Sequence, residues 1–354
     1  MSAGCGPEAE AVTRDLGFDC HDVSPVVSFR FPWELAHPTM PLLEVLVIGG
    51  AVFALVHALR RHRAGDSTNL ALWWASLVYL FVIEPPLYFP EWFGLDRQYG
   101  FIFAHNQFTV QFMWDRLPLY IVAFYPMISQ LAYELVRSLG IFRSRGALAG
   151  SVAVAFACQV FYEVFDHIGP QLKWWAWNPD NHIVNHPALG AVPMTSMLLF
   201  ASVSLGALTY LVVRLVGSGP RRGRSLVPRT LVAGVLTPPT MAVAGIPSSL
   251  FDGNTTAQAW ILGIELAVVW LAGAWIVITD SSRPDETPSA FARYYPATYL
   301  AVLAAFWISA LPAYLAAADG TPIGSGPYAL ACFIGAGLLL AARHRVHSEA
   351  PATA

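Results

Sequence analysis

Nine separate stretches of this chain, eight of about twenty residues and one of 15, carry almost no charge, and few folds can accommodate that. They fall at 40–59, 69–89, 117–136, 147–166, 189–211, 226–248, 257–279, 295–317 and 328–342. About twenty apolar residues are what an α-helix needs to cross the hydrocarbon core of a bilayer. Composition agrees: 56% of the 354 residues are hydrophobic and only 12% are charged, with a mean hydropathy of +0.51. Soluble domains carry about 25% charged residues. Disorder and a basic nucleic-acid-binding face are both excluded. The expectation is an all-α polytopic membrane helix bundle of about nine transmembrane helices, with eight or ten as alternative counts. The sixth stretch, interrupted by Pro238, Pro239 and Pro247, is expected to be kinked or ragged, and the ninth is short and Gly-rich.

Basic residues orient such a bundle, because Lys and Arg concentrate on the cytoplasmic side. With the N-terminus outside, that side holds Arg60, Arg61, Arg63, Arg137, Arg143, Arg145, Arg214, Arg221, Arg222, Arg224, Arg229, Arg283, Arg293, Arg343 and Arg345. Only Arg14, Arg30, Arg97, Arg116 and Lys173 remain outside. The map therefore predicts an extracytoplasmic segment 1–38, a membrane core 39–216, a basic linker 217–229, an accessory bundle 230–343 and a cytoplasmic tail 344–354. The C-terminus is cytoplasmic, and the loops 90–116 and 167–188 share the outer side. Multi-pass residence in the cell membrane follows as an expectation, with the lipid bilayer as partner.

The first 38 residues are polar, and no cleavable signal is expected there. Cys5 and Cys20 lie in this segment, either disulfide-bonded or as two free thiols, while Cys158 and Cys332 fall in helices and are expected to pack. Asn254-Thr255-Thr256 matches a glycosylation sequon of the kind that arises by chance. No phosphate-binding Gly-x-x-x-x-Gly-Lys loop, nucleophile elbow or Asp-rich diphosphate motif is present. Nucleotide and nucleic-acid partners are not expected.

Ionisable side chains inside a membrane are costly and mark function by default. The second stretch ends in Ile83-Glu84-Pro85-Pro86, and the fourth carries Gln159, Glu163, Asp166 and His167 at helical spacing. These groups read either as proton donors and acceptors in an internal pocket or as structural carboxylates bonded to neighbouring side chains. Glu134, three residues before Arg137, reads as an ordinary ion pair. Glu265 is isolated amid apolar residues and either caps the same cavity or ties two helices together.

The loops after the two acidic helices share a layout. The first runs Tyr99-Gly100-Phe101, His105-Asn106-Gln107, then Trp114-Asp115-Arg116-Leu117-Pro118-Leu119. The second runs Gly169-Pro170, Lys173-Trp174-Trp175-Ala176-Trp177, then Gly190-Ala191-Val192-Pro193-Met194. The repeated order suggests two related hairpins facing each other. On these residues the chain resembles the integral-membrane carotenoid biosynthesis family that includes bacterioruberin-pathway hydratases. Residues 84–133 resemble its first half and 160–211 its second, about a third of the chain. The resemblance implies Glu84 and Asp166 as an acidic pair and Trp175 and Trp177 as pocket aromatics. His167 stands where the family has Pro, no Gly-x-Pro-Phe-Gly run follows Glu84, and Thr195-Ser196 replace an Asn.

Hydration or cyclisation of an isoprenoid alkene starts with protonation of a double bond, which asks for an acid held protonated in an apolar site. The resulting carbocation asks for aromatic faces, worth about 0.5–2 kcal/mol each. A base then removes a proton or orients one water. Asp166 or Glu84 is assigned as acid and Glu163 or His167 as base, without a cofactor or metal. Trp114, Tyr162, Trp174, Trp175, Trp177 and Asn106 are assigned to an apolar isoprenoid substrate that enters from the bilayer. The aromatics also fit an interfacial belt, most clearly Trp92. Two alternatives stand beside this reading: a metalloenzyme using His105, His182 and His186, and a transporter or lipid-handling accessory protein without enzymatic activity.

Overall fold

A computed structural model describes residues 5–217, 223–281 and 287–348. Arg221, Arg222 and Arg283, used above for orientation, and residues 349–354 of the tail lie outside the described residues. Among the described residues nine helices are long and apolar enough to cross a membrane. They are α2 (Met40–Arg63), α3 (Thr68–Tyr88), α5 (Leu119–Ser138), α6 (Ile141–Asp166) and α7 (Met194–Leu215), then α8 (Leu226–Ser249), α9 (Thr255–Asp280), α10 (Ala290–Leu315) and α11 (Gly326–Ser348). Short α1 (Pro7–Asp15) and α4 (Asp96–Tyr99) belong to the connecting segments. The chain is an all-α polytopic bundle, as expected.

Boundaries shift where local chemistry competes with apolarity. The α7 helix begins at Met194, not 189, because β6 (Ala188–Leu189) and β7 (Val192–Pro193) close a tight hairpin first. Its Leu199–Ser204 stretch has the wider π spacing. The α6 helix begins earlier than expected, through a kink at Gly146, whose φ of 76° suits a residue without Cβ. The Pro-rich α8 stays one continuous helix across Pro238, Pro239 and Pro247.

Burial sorts the spans. The most apolar windows of α5 and α6 are 89% and 72% buried, against 22% for α9 and α10. The two central helices pack on each other, and α6 also meets α7, α9 and α11. The last four spans therefore lie directly on the first five, with α8 against α3 and α7, and α10 against α2 and α5. The α2–α10 contact is close at Gly50, where a Cβ would come within 2.0 Å of the Tyr295 hydroxyl, which donates to Leu46 O at 2.9 Å.

A cap of connecting segments covers one end of the bundle. Cys5 and Cys20 form a disulfide that closes α1 back on its own segment. The strand β1 (Val27–Ser28) pairs with β3 (Gln111–Phe112), which pairs with β4 (Leu117–Pro118). Between them Met113, Trp114 and Asp115 take three successive left-handed conformations (φ 57°, 54° and 56°). Such strain persists only where surroundings over-determine it. Here Arg30 sits 3.2 Å from Asp115 Oδ2, Ser28 donates to the same carboxylate, and Gln111 Nε2 donates to Asp115 O. The decisive pairing is β2 (Phe103–His105) with β5 (Trp175–Trp177): antiparallel, Phe103 opposite Trp177 and His105 opposite Trp175. It joins the two loops that follow the acidic helices.

The α2–α10 contact makes a direct prediction. Gly50→Val will overpack it and lower the melting temperature in detergent, at a cost of about 1–3 kcal/mol. Gly49→Ala, where a Cβ meets nothing within 4 Å, will not lower the melting temperature.

Candidate functional site

Helix α3 ends at Tyr88 and places Glu84 one turn inside; α6 ends at Asp166 on the same side of the bundle. The paired strands β2 and β5 roof the space between these helix ends and α5. The result is a recess of about 740 Å³ of empty space counted out to its mouth, of which about 90 Å³ admits the centres of water-sized guests. Its walls include Glu84, Tyr125, Tyr162, Asp166, Trp175 and Trp177, with His105, Phe103, Phe165, Asn185, Ser196 and Phe200. It is a slot with room for several waters or a slim apolar chain.

Polar atoms in this slot divide into satisfied and unsatisfied. The Tyr125 hydroxyl donates to Glu84 Oε1, and Tyr88 lies beside the same carboxyl. The Tyr120 hydroxyl donates to Trp174 O at 3.3 Å, so its oxygen accepts from His105 Nδ1 at 3.1 Å. That leaves Nε2 as the lone-pair nitrogen of the His105 ring. Burial pushes this imidazole from its ordinary 6.5 down to about 3, so it stays neutral near pH 7. By contrast Asp166 Oδ2, Trp175 Nε1, Trp177 Nε1 and Asn185 Oδ1 are buried with no hydrogen-bond partner. Two donors and two acceptors on residues that line the recess are thus left unsatisfied. Buried polar atoms are nearly always paired, so four in one place mark a site for a polar group or an ordered water. Backbone packing sets the ring of Trp175: a Cβ on Gly169 would lie 2.0 Å from it.

The recess brings together Glu84, Asp166, Tyr162, Trp175 and Trp177 from the expected set. Five expected residues lie elsewhere. Glu163 and His167 occupy the other flank of α6, since the helical turn that aims Tyr162, Phe165 and Asp166 at the recess rotates Glu163 away. There the Ser325 N–H donates to His167 Nδ1 at 3.0 Å, which puts the ring proton on Nε2, 3.2 Å from Glu163 Oε2. Gln159 and Trp270 both donate to the Tyr328 hydroxyl nearby, at 3.1 and 3.2 Å. Burial pushes His167 down to about 4, which makes it a weak base, and neither member of the pair lines the recess.

Trp174 is fully buried behind the recess, its ring 5.7 Å from Phe165 and its Nε1 donating to Thr39 Oγ1 at 3.0 Å. Trp114 is carried by the left-handed turn onto Phe89 and Trp92, with ring centroids 5.8 and 5.4 Å away. Asn106 is a structural clasp: its amide donates to Leu16 O and Lys173 O, and its oxygen accepts from Arg30. Conversely Tyr125, Asn185 and Ser196 line the recess and were not anticipated, and His105 was anticipated only as a metal ligand.

The metal alternative does not assemble. His105 is in the recess, while His182 and His186 face each other with ring centroids 4.8 Å apart. Among the described residues, three ligand atoms converge only at Cys5, Cys20 and His21, whose cysteines are already bonded to each other. Glu134 pairs with Arg137 at 3.2 Å as expected, and half-buried Glu265 does not line the recess. No family model, no curated protein and no solved structure matches the chain. The fold and the site together define a multi-pass helical membrane protein with an internal acidic, aromatic recess.

His105 gives the site a pH signature. Its folded value lies below the unfolded one, so the unfolded chain binds the extra proton, and stability falls as pH drops from about 6.5 toward 3. Thermal melts across that window will show a shallower pH slope for His105→Asn than for the parent chain. Equal slopes would remove His105 from the linkage.

Proposed function

We propose that this multi-pass protein is a cell-membrane enzyme that protonates a carbon–carbon double bond of an isoprenoid or carotenoid-like lipid and hydrates the resulting cation. The observation that carries the reading is that Asp166, a wall residue of an apolar aromatic slot, has a carboxyl oxygen without a partner, as do the indole N–H groups of the wall residues Trp175 and Trp177. Burying an ionised carboxylate without a partner is costly, and donating a proton to a hydrocarbon asks for a group in that situation.

Asp166 delivers its proton to one alkene carbon, and the positive charge develops on the other. The faces of Trp175, Trp177 and Tyr162 stabilise that charge, at about 0.5–2 kcal/mol for each well-placed ring. A water held by Asn185 Oδ1 and an indole N–H adds through its oxygen to the cationic carbon. Glu84, oriented by the Tyr125 hydroxyl, takes the proton that the water loses. Proton return from Glu84 to Asp166 restores the site, and the net change is alkene plus water to alcohol. No cofactor enters this sequence. Hydration is favoured over cyclisation because the unsatisfied donors and acceptors match a water better than a folded hydrocarbon chain. The arrangement also agrees with the pair, Glu84 and Asp166, implied by the resemblance to membrane carotenoid hydratases.

Mass spectrometry of lipid extracts from cells expressing the protein tests this. The parent chain will make an isoprenoid product heavier by one water, while Asp166→Asn and Glu84→Gln will each lower its formation by on the order of 10²–10⁴. Equal product from all three chains would remove both carboxyls from the chemistry. An unchanged isoprenoid profile with altered uptake or efflux would replace the enzyme with a transporter.

A further inference from the structure

The recess does not end at its acidic walls. A smaller chamber, with about 190 Å³ of empty space, continues it into the bundle. Phe124, Tyr125, Tyr162 and Phe200 line both spaces and so form the neck between them. Helix register gives the direction. At the capped end α5 and α7 begin while α3 and α6 finish, so depth runs forward along the first two and backward along the others. Tyr79 lies about 7 Å further in along α3 than Glu84, and Leu205 about 7 Å further in along α7 than Phe200, at about 1.5 Å per residue. On α5 Ile128 is likewise deeper than Tyr125, and on α6 only Tyr162, the deepest of its recess residues, reaches the chamber. All four helices agree that the chamber lies toward the middle of the bundle.

Its chemistry differs from that of the recess. The Tyr79 hydroxyl donates to Met241 Sδ at 3.0 Å, the Ser204 hydroxyl to Phe200 O at 2.8 Å, and the Tyr125 hydroxyl to Glu84. No wall residue of the chamber has a buried side-chain nitrogen or oxygen without a partner, in contrast to the recess above it. What the chamber offers a guest is therefore hydrocarbon: the side chains of Ile128 and Leu205, and rings paired at 5.3 Å (Tyr79 with Tyr125) and 4.9 Å (Phe124 with Tyr162) between centroids. The wall contributed by α7 includes Phe200 and Ser204, both in its π stretch, Leu199–Ser204. Short π turns inside α-helices recur at functional sites. A polar group with a water suits the recess, and an apolar chain end suits the chamber.

We propose that the chamber takes the end of the substrate's hydrocarbon chain, and that Ile128, Ser204 and Leu205 set how much chain lies beyond Asp166. The inference rests on the isoprenoid reading of the recess and adds a chain-end subsite to it. Ser204 and Leu205 allow the chamber to be altered in opposite senses: Ser204→Leu narrows it and Leu205→Ala widens it.

A farnesol analogue with a diazirine at the chain end remote from its hydroxyl, crosslinked to the purified full chain and mapped by peptide mass spectrometry, tests the depth. In the parent chain adducts will fall on Ile128 and residues 200–205. Ser204→Leu will shift them to the Trp175–Trp177 strand and weaken probe affinity about tenfold, the loss expected when roughly two methylene groups leave a buried site. Leu205→Ala will turn the preference in competition from farnesol toward geranylgeraniol, which is longer by one isoprene unit. A general loss of fold, which melting curves would reveal, cannot produce these opposite effects. Adducts on the Trp175–Trp177 strand of the parent chain with none on Ile128 or residues 200–205, or a Ser204→Leu pattern identical to the parent's, would overturn the subsite and leave the reading of the recess intact. Absence of competitor-sensitive adducts at both places would overturn that reading, and the subsite with it.

Discussion

Everything in the candidate site depends on three residues of one loop pairing with three of another. Phe103–His105 and Trp175–Trp177 are 70 residues apart in sequence and each follows a different acidic helix. Backbone hydrogen bonds between them fix His105 opposite Trp175 and Phe103 opposite Trp177, so both indole-bearing positions turn toward the ends of α3 and α6. Without that pairing Glu84 and Asp166 would be two carboxyls at separate helix ends. With it, they wall one slot.

Helix α6 shows how a single span can serve two polar environments inside an apolar bundle. Tyr162, Phe165 and Asp166 face the recess, while Gln159, Glu163 and His167 face Tyr328, Trp270 and the backbone at Ser325. The second environment joins α6 to α9 and α11 through the Tyr328 hydroxyl, while both Glu163 carboxyl oxygens and His167 Nε2 have no hydrogen-bond partner there. Helix α5 likewise runs from the recess at Tyr125 to a second cavity lined by Glu134 and Arg137. The spans most enclosed by protein therefore carry the most polar chemistry. Internal satisfaction of polar groups demands that arrangement in lipid.

The spans were legible because about twenty uncharged residues in a row have few other uses. Their ends were less legible: turns intervened at the β6–β7 hairpin before Met194, and α6, α10 and α11 run past the apolar stretch into polar flanks that a helix can still include. Glu84 and Asp166 stood out because a carboxyl near the end of an apolar run is costly and rare. Trp174 misled because the aromatic cluster was counted rather than phased. On a strand, side chains alternate, so Trp175 and Trp177 share one face and Trp174 takes the other. Glu163 misled for the helical counterpart of that reason, since polar spacing places residues on neighbouring flanks without saying which flank faces a void. Tyr125 and Asn185 carried no local signal, because their role comes from a partner or a cavity supplied by distant segments. Trp114 was lost to a left-handed turn that no residue in it advertises, there being no glycine among Met113, Trp114 and Asp115.

The proposed isoprenoid substrate would lie in the slot between the two acidic helix ends. A photoreactive isoprenoid, crosslinked in membranes containing the full-length protein and mapped by peptide mass spectrometry, addresses it most directly. Adducts will concentrate on the ends of α3 and α6 and on the Trp175–Trp177 strand, and an unlabelled isoprenoid will compete them away. Adducts confined to the outward faces of α9 and α10, insensitive to competitor, would contradict that placement.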